Sequence, residues 1–498
     1  MDNRFNLIDE PWIPVANQGR VSLKDIFYNL EYRSLGGNPV QKIAVLKLLL
    51  AISQAAVTPN DEMEWRQLGK QGLAKKCIAY LESMHDRFYL YGENPFLQMP
   101  AIKAAKIQPY GAVMPEVATG NTTVLSQIQI QRDLDDGEKA LLLLTLMGFA
   151  LSGKKTDNSI VLTPGYTGKQ NDKGKASSGR PGPSVAHQGL LHTFLISQSL
   201  IETLWLNLFT VQQIEHMKIY SNGVGCPPWE KMPLGEDCDT ARQLKESLIG
   251  RLIPLCRFCL LTDDGLHYSE GIAHLNYKDG MVDPSMAINY SGKEPKGLWV
   301  DPDKRPWREL TSLLGFISQT HTQRFQSWQL ELTLDRARDV TESFAIWSGG
   351  LRVSSNAGEQ YVSGSDDFVE SQIWLDSEML GQSWFSQLKE EMDALDMLAK
   401  TLYGRVQAYF KEQTVDGSKI TPLATQFFWQ LCERNFQELV VNCDQTDRAA
   451  IQRANLRRRF ASYVQQAYDR FCPHDTVRQL DAWAKCRPNT RKYLEQEV

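Results

Sequence analysis

The sequence predicts an α+β fold: a large mixed N-terminal domain over residues 1–375, then a C-terminal antiparallel four-helix bundle over residues 376–498. Three observations carry this expectation. From residue 382 onward, Phe385, Leu388, Met392, Leu395, Leu402, Val406 and Tyr409 recur at three- and four-residue spacing, which defines a helix with a continuous apolar stripe. Residues 226–301 instead mix short strand-like runs such as MVDPSMAINY with turn signals at Asp264-Gly265 and Asp279-Gly280, the pattern of a small β-rich region. Between apolar helical segments lies one stretch, 152–184, that is too polar and too rich in glycine to pack as a core and must be a long loop.

At 498 residues, 42% of them hydrophobic, the chain has material for about two to four domains with sizeable cores. It contains no run of about 18 uncharged apolar residues, so no membrane span is expected. The opening MDNRFNLIDEPW lacks a secretory pattern, and a cytoplasmic protein is the default. A net charge of -5 argues against coating nucleic acid alone, so any such contact is local or shared with a partner. Nine scattered cysteines fit a reducing compartment better than a disulfide framework. Cys226, Cys238, Cys256 and Cys259 would supply four zinc ligands, but eleven residues separate the first pair, and a buried CxxC is the simpler account.

Taken in order, FNLIDEPWIPV at 5–15 alternates apolar positions and then sets two prolines around Trp12, which suits an edge strand entering an extended turn. A short helix is expected near 22–28. Pro39 then opens a long apolar helix that stops before Pro59, and an amphipathic helix covers 61–88. YGENPFLQM at 91–99 reads as a turn around a buried Phe96. The segment 137–151 is apolar all round and so a buried helix, and 190–209 is again helical and apolar, so that two helices bracket the polar loop.

That loop carries Lys154, Lys155, Lys169, Lys173, Lys175 and Arg180 against Asp157 and Asp172. Lysines neutralise phosphates without regard to sequence, and glycines such as Gly179 and Gly182 let backbone approach a ligand, so the stretch suits a nucleic-acid contact as well as a solvated surface loop. Further on, a helix is expected at 306–318, a strand or two within 330–347, and a tight hairpin-like turn at 348–359, SGGLRVSSNAGE, where paired glycines precede a polar tip. After Asp416-Gly417 breaks the first C-terminal helix, 420–441, 447–471 and 476–494 supply three more, and four helices with short connections pack most simply as an antiparallel bundle. Arg453 and Arg457 share one face of the third, as a solvated face or as a phosphate or partner contact.

An enzyme should show a nucleophile with its base, a phosphate-cradling loop or a metal constellation, and the sequence offers none that is convincing. Residues 165–169 are too short for a Walker loop, and the pairs Asp263-Asp264 and Asp366-Asp367 read as surface charge. No cofactor is expected.

FNLIDEPWIPV, followed about eighty residues later by ENPFLQ, resembles the N-terminal region of the CasA family, the large subunit of the type I-E CRISPR surveillance complex Cascade. The resemblance extends along the chain through the glycine-containing loop, the Gly-Gly-x-Arg segment and the helical C-terminal part. It implies a non-catalytic DNA-binding subunit that recognises the protospacer-adjacent motif (PAM) of target double-stranded DNA and helps open the duplex for R-loop formation. The implied partners are the CRISPR guide RNA, the target DNA, the backbone, handle-binding and small subunits of Cascade, and a recruited helicase-nuclease.

By the same resemblance, Asn121, Thr122 and Thr123 touch the guide RNA, while Gly179 and Gly182 bring backbone to the minor groove and Arg180 adds a phosphate or narrow-groove contact. Lys278 matches the family's lysine finger at the PAM, with Asn276 nearly as good a match. Gly350, Arg352, Ser354, Ser355, Asn356 and Ala357 fall on the wedge that parts the first base pairs. The family has a glutamine at the wedge tip and this chain does not, so steric wedging is implied more firmly than base readout. Two rival readings stand beside this one: a scaffold that caps an RNA-protein assembly, and a metal-dependent nuclease built on an acidic pair.

Overall fold

The structure is a computed structural model, and it describes residues 3–114, 133–148, 156–157, 159–166, 189–318, 325–352 and 368–495. The chain forms two compact units. One comprises Met1–Pro306, Phe325–Ala337 and Ala345–Gln372, the other Trp307–Arg324, Arg338–Phe344 and Ile373–Val498.

In the first unit the two N-terminal motifs are structural neighbours. The strand Arg4–Asn6 pairs antiparallel with Tyr89–Tyr91, and Phe96 donates its backbone N–H to the Tyr89 carbonyl at 2.8 Å. Phe96 stacks on Phe88 with centroids 4.7 Å apart, while Trp12 is buried and its indole N–H donates to the Leu7 carbonyl at 3.0 Å. The second motif therefore closes over the first.

The helix Pro39–Ala56 is the centre of this unit. Asn38 and Gln41 form a capping box at its start with Pro39 in the first turn, a strong local start signal. It is buried on nearly every side and packs against the helices Glu62–Ser83, Asp136–Gly148, Leu200–Asn207 and Ile249–Leu252. Its apolar composition satisfies a core position, because 78% of it is buried inside the protein. Glu62–Ser83 kinks at Gly69, whose φ of 57° lies in the left-handed region.

Two three-stranded sheets complete the unit's main framework. One has the order Phe368–Asp376, Ser343–Leu351, His192–Ile196, with Gly349 opposite His192 and Ala345 opposite Ile196. The other has the order Ile107–Gln108, Leu266–Glu270, Arg257–Leu261.

Three expectations are corrected here. Residues 190–209 are not one helix but the strand His192–Ile196 followed by the helix Leu200–Asn207, so the polar loop is not bracketed by two helices. A strand buried on both faces shows no alternation, and its apolar run looks like a buried helix. Within 330–347 the first element is the helix Trp328–Val340, with the strand beginning at Ser343; Leu330, Thr333, Leu334 and Ala337 already carry helical spacing on the buried face. Finally, Gly349 and Gly350 lie inside the strand Ser343–Leu351 and not in a turn.

In the second unit the apolar stripe of Gln382–Glu412 is buried at each of its seven predicted positions. This helix packs against Ile420–Glu433, Asp447–Phe471 and Val477–Cys486. The expected 420–441 helix is divided into Ile420–Glu433 and Phe436–Val441, and the last into Val477–Cys486 and Arg491–Leu494, with Pro488 between them.

Arg453 and Arg457 are interior, which corrects both readings of that face. Arg457 holds Glu391, itself 0% exposed, through Nη2–Oε1 at 2.6 Å and Nε–Oε2 at 3.1 Å. Arg453 donates to the carbonyls of Asn442 and Asp444 at 2.6 and 2.7 Å. A buried carboxylate requires such partners, and here two arginines one turn apart supply them.

Candidate nucleic-acid interface

Of the residues nominated from the sequence, Asn276, Lys278, Gly350 and Arg352 are described. Asn121, Thr122 and Thr123, then Gly179, Arg180 and Gly182, and then Ser354, Ser355, Asn356 and Ala357 lie outside the described residues.

Lys278 stands in the single 3₁₀ turn Tyr277–Asp279. Asn276 caps it: its side-chain oxygen accepts the Lys278 N–H at 2.7 Å, and the Asp279 carboxylate accepts the Asn276 N–H at 3.1 Å. Gly280 ends the turn with φ 84°, a conformation that favours glycine and explains the Asp-Gly signal in the sequence. The Lys278 side chain is 54% exposed, and its ammonium lies 3.3 Å from Glu294, which is 74% exposed. Such a solvent-exposed pair is worth about 0–1 kcal/mol, so a competing anion displaces it at small cost.

Tyr277 points the other way and anchors the turn. Its ring packs with Leu190, Val282, Met286 and Ile288 in one buried cluster. Gly297 completes the cover at close quarters: a Cβ there would lie 2.5 Å from Leu190 Cδ2, so the leucine would have to shift, and 3.5 Å from the Tyr277 ring.

Leu190 connects this turn to the strand that carries the nominated Gly350. It lies just beyond residues 167–188, and the backbone there is tied down on both sides: the Val300 N–H donates to the Gly189 carbonyl at 2.7 Å, and Leu191 N–H to Leu298 at 2.9 Å. Gly350 reaches the same place from the strand Ser343–Leu351. A Cβ on it would stand 3.1 Å from the Leu190 carbonyl oxygen and 2.6 Å from Val300 Cγ2. Arg352 is half-buried just past the end of that strand. The Lys278 turn, the backbone at Gly189–Leu191 and the end of the strand Ser343–Leu351 thus meet around Leu190.

Within 152–184, the described segment 159–166 is held at Leu162 and Thr163. Glu236 is fully buried and accepts the N–H groups of Leu162 at 3.1 Å and Thr163 at 2.9 Å, while Thr163 Oγ1 accepts the Asp237 N–H at 3.1 Å. Leu190, Tyr277, Glu236 and Glu294 were not singled out in the sequence. Each acts through partners distant along the chain, and local periodicity carries no trace of them.

Among the described residues no group of three or more His, Cys, Asp or Glu side chains could hold a metal ion. Cys256 and Cys259 are buried, and burial pushes the Cys259 thiol up to about 12, which makes it an inert packing group. Asp263 is a surface residue 3.6 Å from Arg4, and Asp366 and Asp367 lie outside the described residues.

The sequence pattern of the family CRISPR-associated protein Cse1 matches residues 6–467. The CRISPR-associated protein CasA/Cse1 of Thermus thermophilus is 29% identical over 342 residues, a stretch spanning 62% of this chain and 60% of that relative. The crystal structure of Thermobifida fusca Cse1 is similar with a TM-score of 0.76 at 19% identity, covering 99% of each chain. A chain of a structure described as a CRISPR RNA-guided surveillance complex gives a TM-score of 0.69 at 16% identity, covering 98% of this chain and 99% of that one. These neighbours show that the fold is shared with Thermobifida fusca Cse1 and with a chain of that surveillance complex. The match over 6–467 is the narrower finding, and by it the chain belongs to the CRISPR-associated protein Cse1 family.

Proposed function

We propose that this chain is the non-catalytic large subunit of a type I-E RNA-guided surveillance complex, that it recognises the PAM in double-stranded DNA and helps part the adjoining base pairs, and that it offers a docking surface to a helicase-nuclease. The observation that carries this reading is the meeting of two nominated stretches, the Lys278 turn and the strand that carries Gly350, around Leu190. A reader and a wedge act on adjacent base pairs, so they must spring from one rigid base.

In this reading Lys278 is the group that reaches the groove. Its ammonium is exposed and, among the described residues, is held by Glu294 alone, whereas the Asn276 side-chain oxygen is occupied in shaping the turn. A single lysine presented to minor-groove acceptors distinguishes A·T from T·A poorly, so the reader tolerates several PAMs. The sequence of the target is read by base pairing with the guide RNA, and the protein supplies the short duplex check that precedes it. Lysines of the 152–184 stretch add phosphate contacts, which makes binding salt-dependent. Guide-RNA contact by Asn121, Thr122 and Thr123 seats the subunit on the complex.

The test is a duplex-DNA titration of the guide-RNA complex with and without this chain, on matched targets with intact or scrambled PAM. A gain in affinity confined to the intact PAM is expected. Equal affinity for both targets would remove the PAM role and leave a capping scaffold.

A further inference from the structure

Beneath the Leu190 cluster runs a column of polar side chains that are no more than 3% exposed: Lys47, Asp283, Ser285, His192, Thr193 and Ser348. The Lys47 ammonium, from the central helix, pairs with Asp283 and also donates to the Arg251 carbonyl at 3.2 Å. The other Asp283 oxygen accepts the Ser285 N–H at 3.0 Å and its hydroxyl at 2.7 Å. Ser285 Oγ is 2.8 Å from His192 Nδ1, and the Ser285 carbonyl accepts the Thr193 N–H at 2.8 Å. Thr193 Oγ1 then lies 3.0 Å from Ser348 Oγ. The column therefore starts in the central helix, passes through the segment that follows the Lys278 turn, and ends in the strand that carries Gly349 and Gly350.

Stability alone does not account for such a column. A buried ion pair is often no more stabilising than well-packed apolar residues of the same volume, and its best-attested use is to fix one arrangement among several. Apolar contacts permit neighbouring segments to slide, whereas an ion pair continued by directed hydrogen bonds defines one setting, and losing any link leaves a buried polar group unpaired. The segments held here are the two that the proposed reader and wedge need in register. The turn's own cluster around Tyr277 is apolar and supplies no such direction.

We infer that Lys47, Asp283 and Ser285 are positioning residues that set the Lys278 turn relative to the strand Ser343–Leu351, so that Lys278 is held in register for PAM reading. This inference rests on the proposed function. None of the three touches DNA; they act through the placement of Lys278 and of the strand that contains Ser348.

The test uses the assembled guide-RNA complex containing the wild-type chain, Ser285→Ala, or the paired apolar change Lys47→Met with Asp283→Leu, each with and without Lys278→Ala. Two quantities are measured: the ratio of affinities for intact-PAM and scrambled-PAM duplex, and the thermal midpoint of the chain. Positioning predicts that Ser285→Ala and the paired change each lower the ratio by about tenfold. It also predicts that neither lowers it further once Lys278 is alanine, because the residues act through that side chain. A merely structural column would move the midpoint without this dependence on Lys278. The inference is overturned if variants that melt within a few degrees of the wild type keep its ratio, or if their losses add to that of Lys278→Ala. Ser285→Ala decides alone if the paired change does not assemble. If the wild-type chain itself shows no PAM-dependent ratio, the proposed function fails first, and that result is distinct from wild-type discrimination left intact by the column variants.

Discussion

Gly350 stands so close to Leu190 that a Cβ on it would lie 3.1 Å from the Leu190 carbonyl oxygen, with Val300 Cγ2 nearer still at 2.6 Å. This contact joins the strand Ser343–Leu351 to the backbone at Leu190. Gly350→Val therefore overpacks the junction and lowers stability by about 1–3 kcal/mol. Denaturant unfolding checks this, with Gly381→Ala as the control, because a Cβ on Gly381 meets nothing within 4 Å. Equal effects of the two changes would contradict the close approach.

In the helical unit, Glu391 is the shared acceptor for Arg457 and, at 3.9 Å, Arg453. Glu391→Ala leaves two interior guanidinium groups short of a partner and costs about 3–5 kcal/mol. Replacing Glu391 and Arg457 together with leucine and methionine is expected to recover most of that loss. The comparison is made by thermal unfolding of the single and double variants; a double variant no better than the single would contradict it.

Acid should weaken the fold before most carboxylates titrate. His192 is buried and His274 half-buried, and desolvation holds both well below the ordinary histidine value; the nearby Lys47 adds to this at His192, and Arg251 at His274. The unfolded chain binds a proton at each near pH 6.5 while the folded chain does not, so stability is retained above that pH and lost as pH falls through it. The loss is about 1.4 kcal/mol per histidine for each pH unit below 6.5. Unfolding free energy measured from pH 7.5 to 5.5 should fall accordingly, and His274→Gln should make the profile shallower. A flat profile would contradict the neutral burial of these side chains.

What could be read from the sequence follows the range of the forces involved. The helix Gln382–Glu412 was legible because Phe385 to Tyr409 repeat at the helical period, and Pro39–Ala56 because Pro39 opens an apolar run that stops before Pro59. The Lys278 turn was legible through Asp279-Gly280, since a left-handed residue is needed there. His192–Ile196 was misread because both its faces are buried, and Gly349 and Gly350 because their glycines answer to neighbours in space, not to a turn. Arg457 shows the same limit from the other side. Its helical face was correctly located, but whether that face meets solvent depends on Glu391, 66 residues away. The candidate site divides likewise: the family resemblance nominated Lys278 and Asp279-Gly280 marked its turn, whereas Leu190, Tyr277 and Glu236 act through contacts that no local pattern encodes.

The most direct test of the account is the affinity of the guide-RNA complex for duplex targets with intact and scrambled PAM when this chain carries Lys278→Ala. The account predicts that the preference for the intact PAM falls by about tenfold, since a hydrogen bond from a charged donor is worth roughly 1.5–3 kcal/mol. Glu294→Gln, which releases Lys278 from its exposed ion pair, should leave the preference intact or raise it. An unchanged preference in Lys278→Ala would contradict the assignment of this turn as the PAM reader.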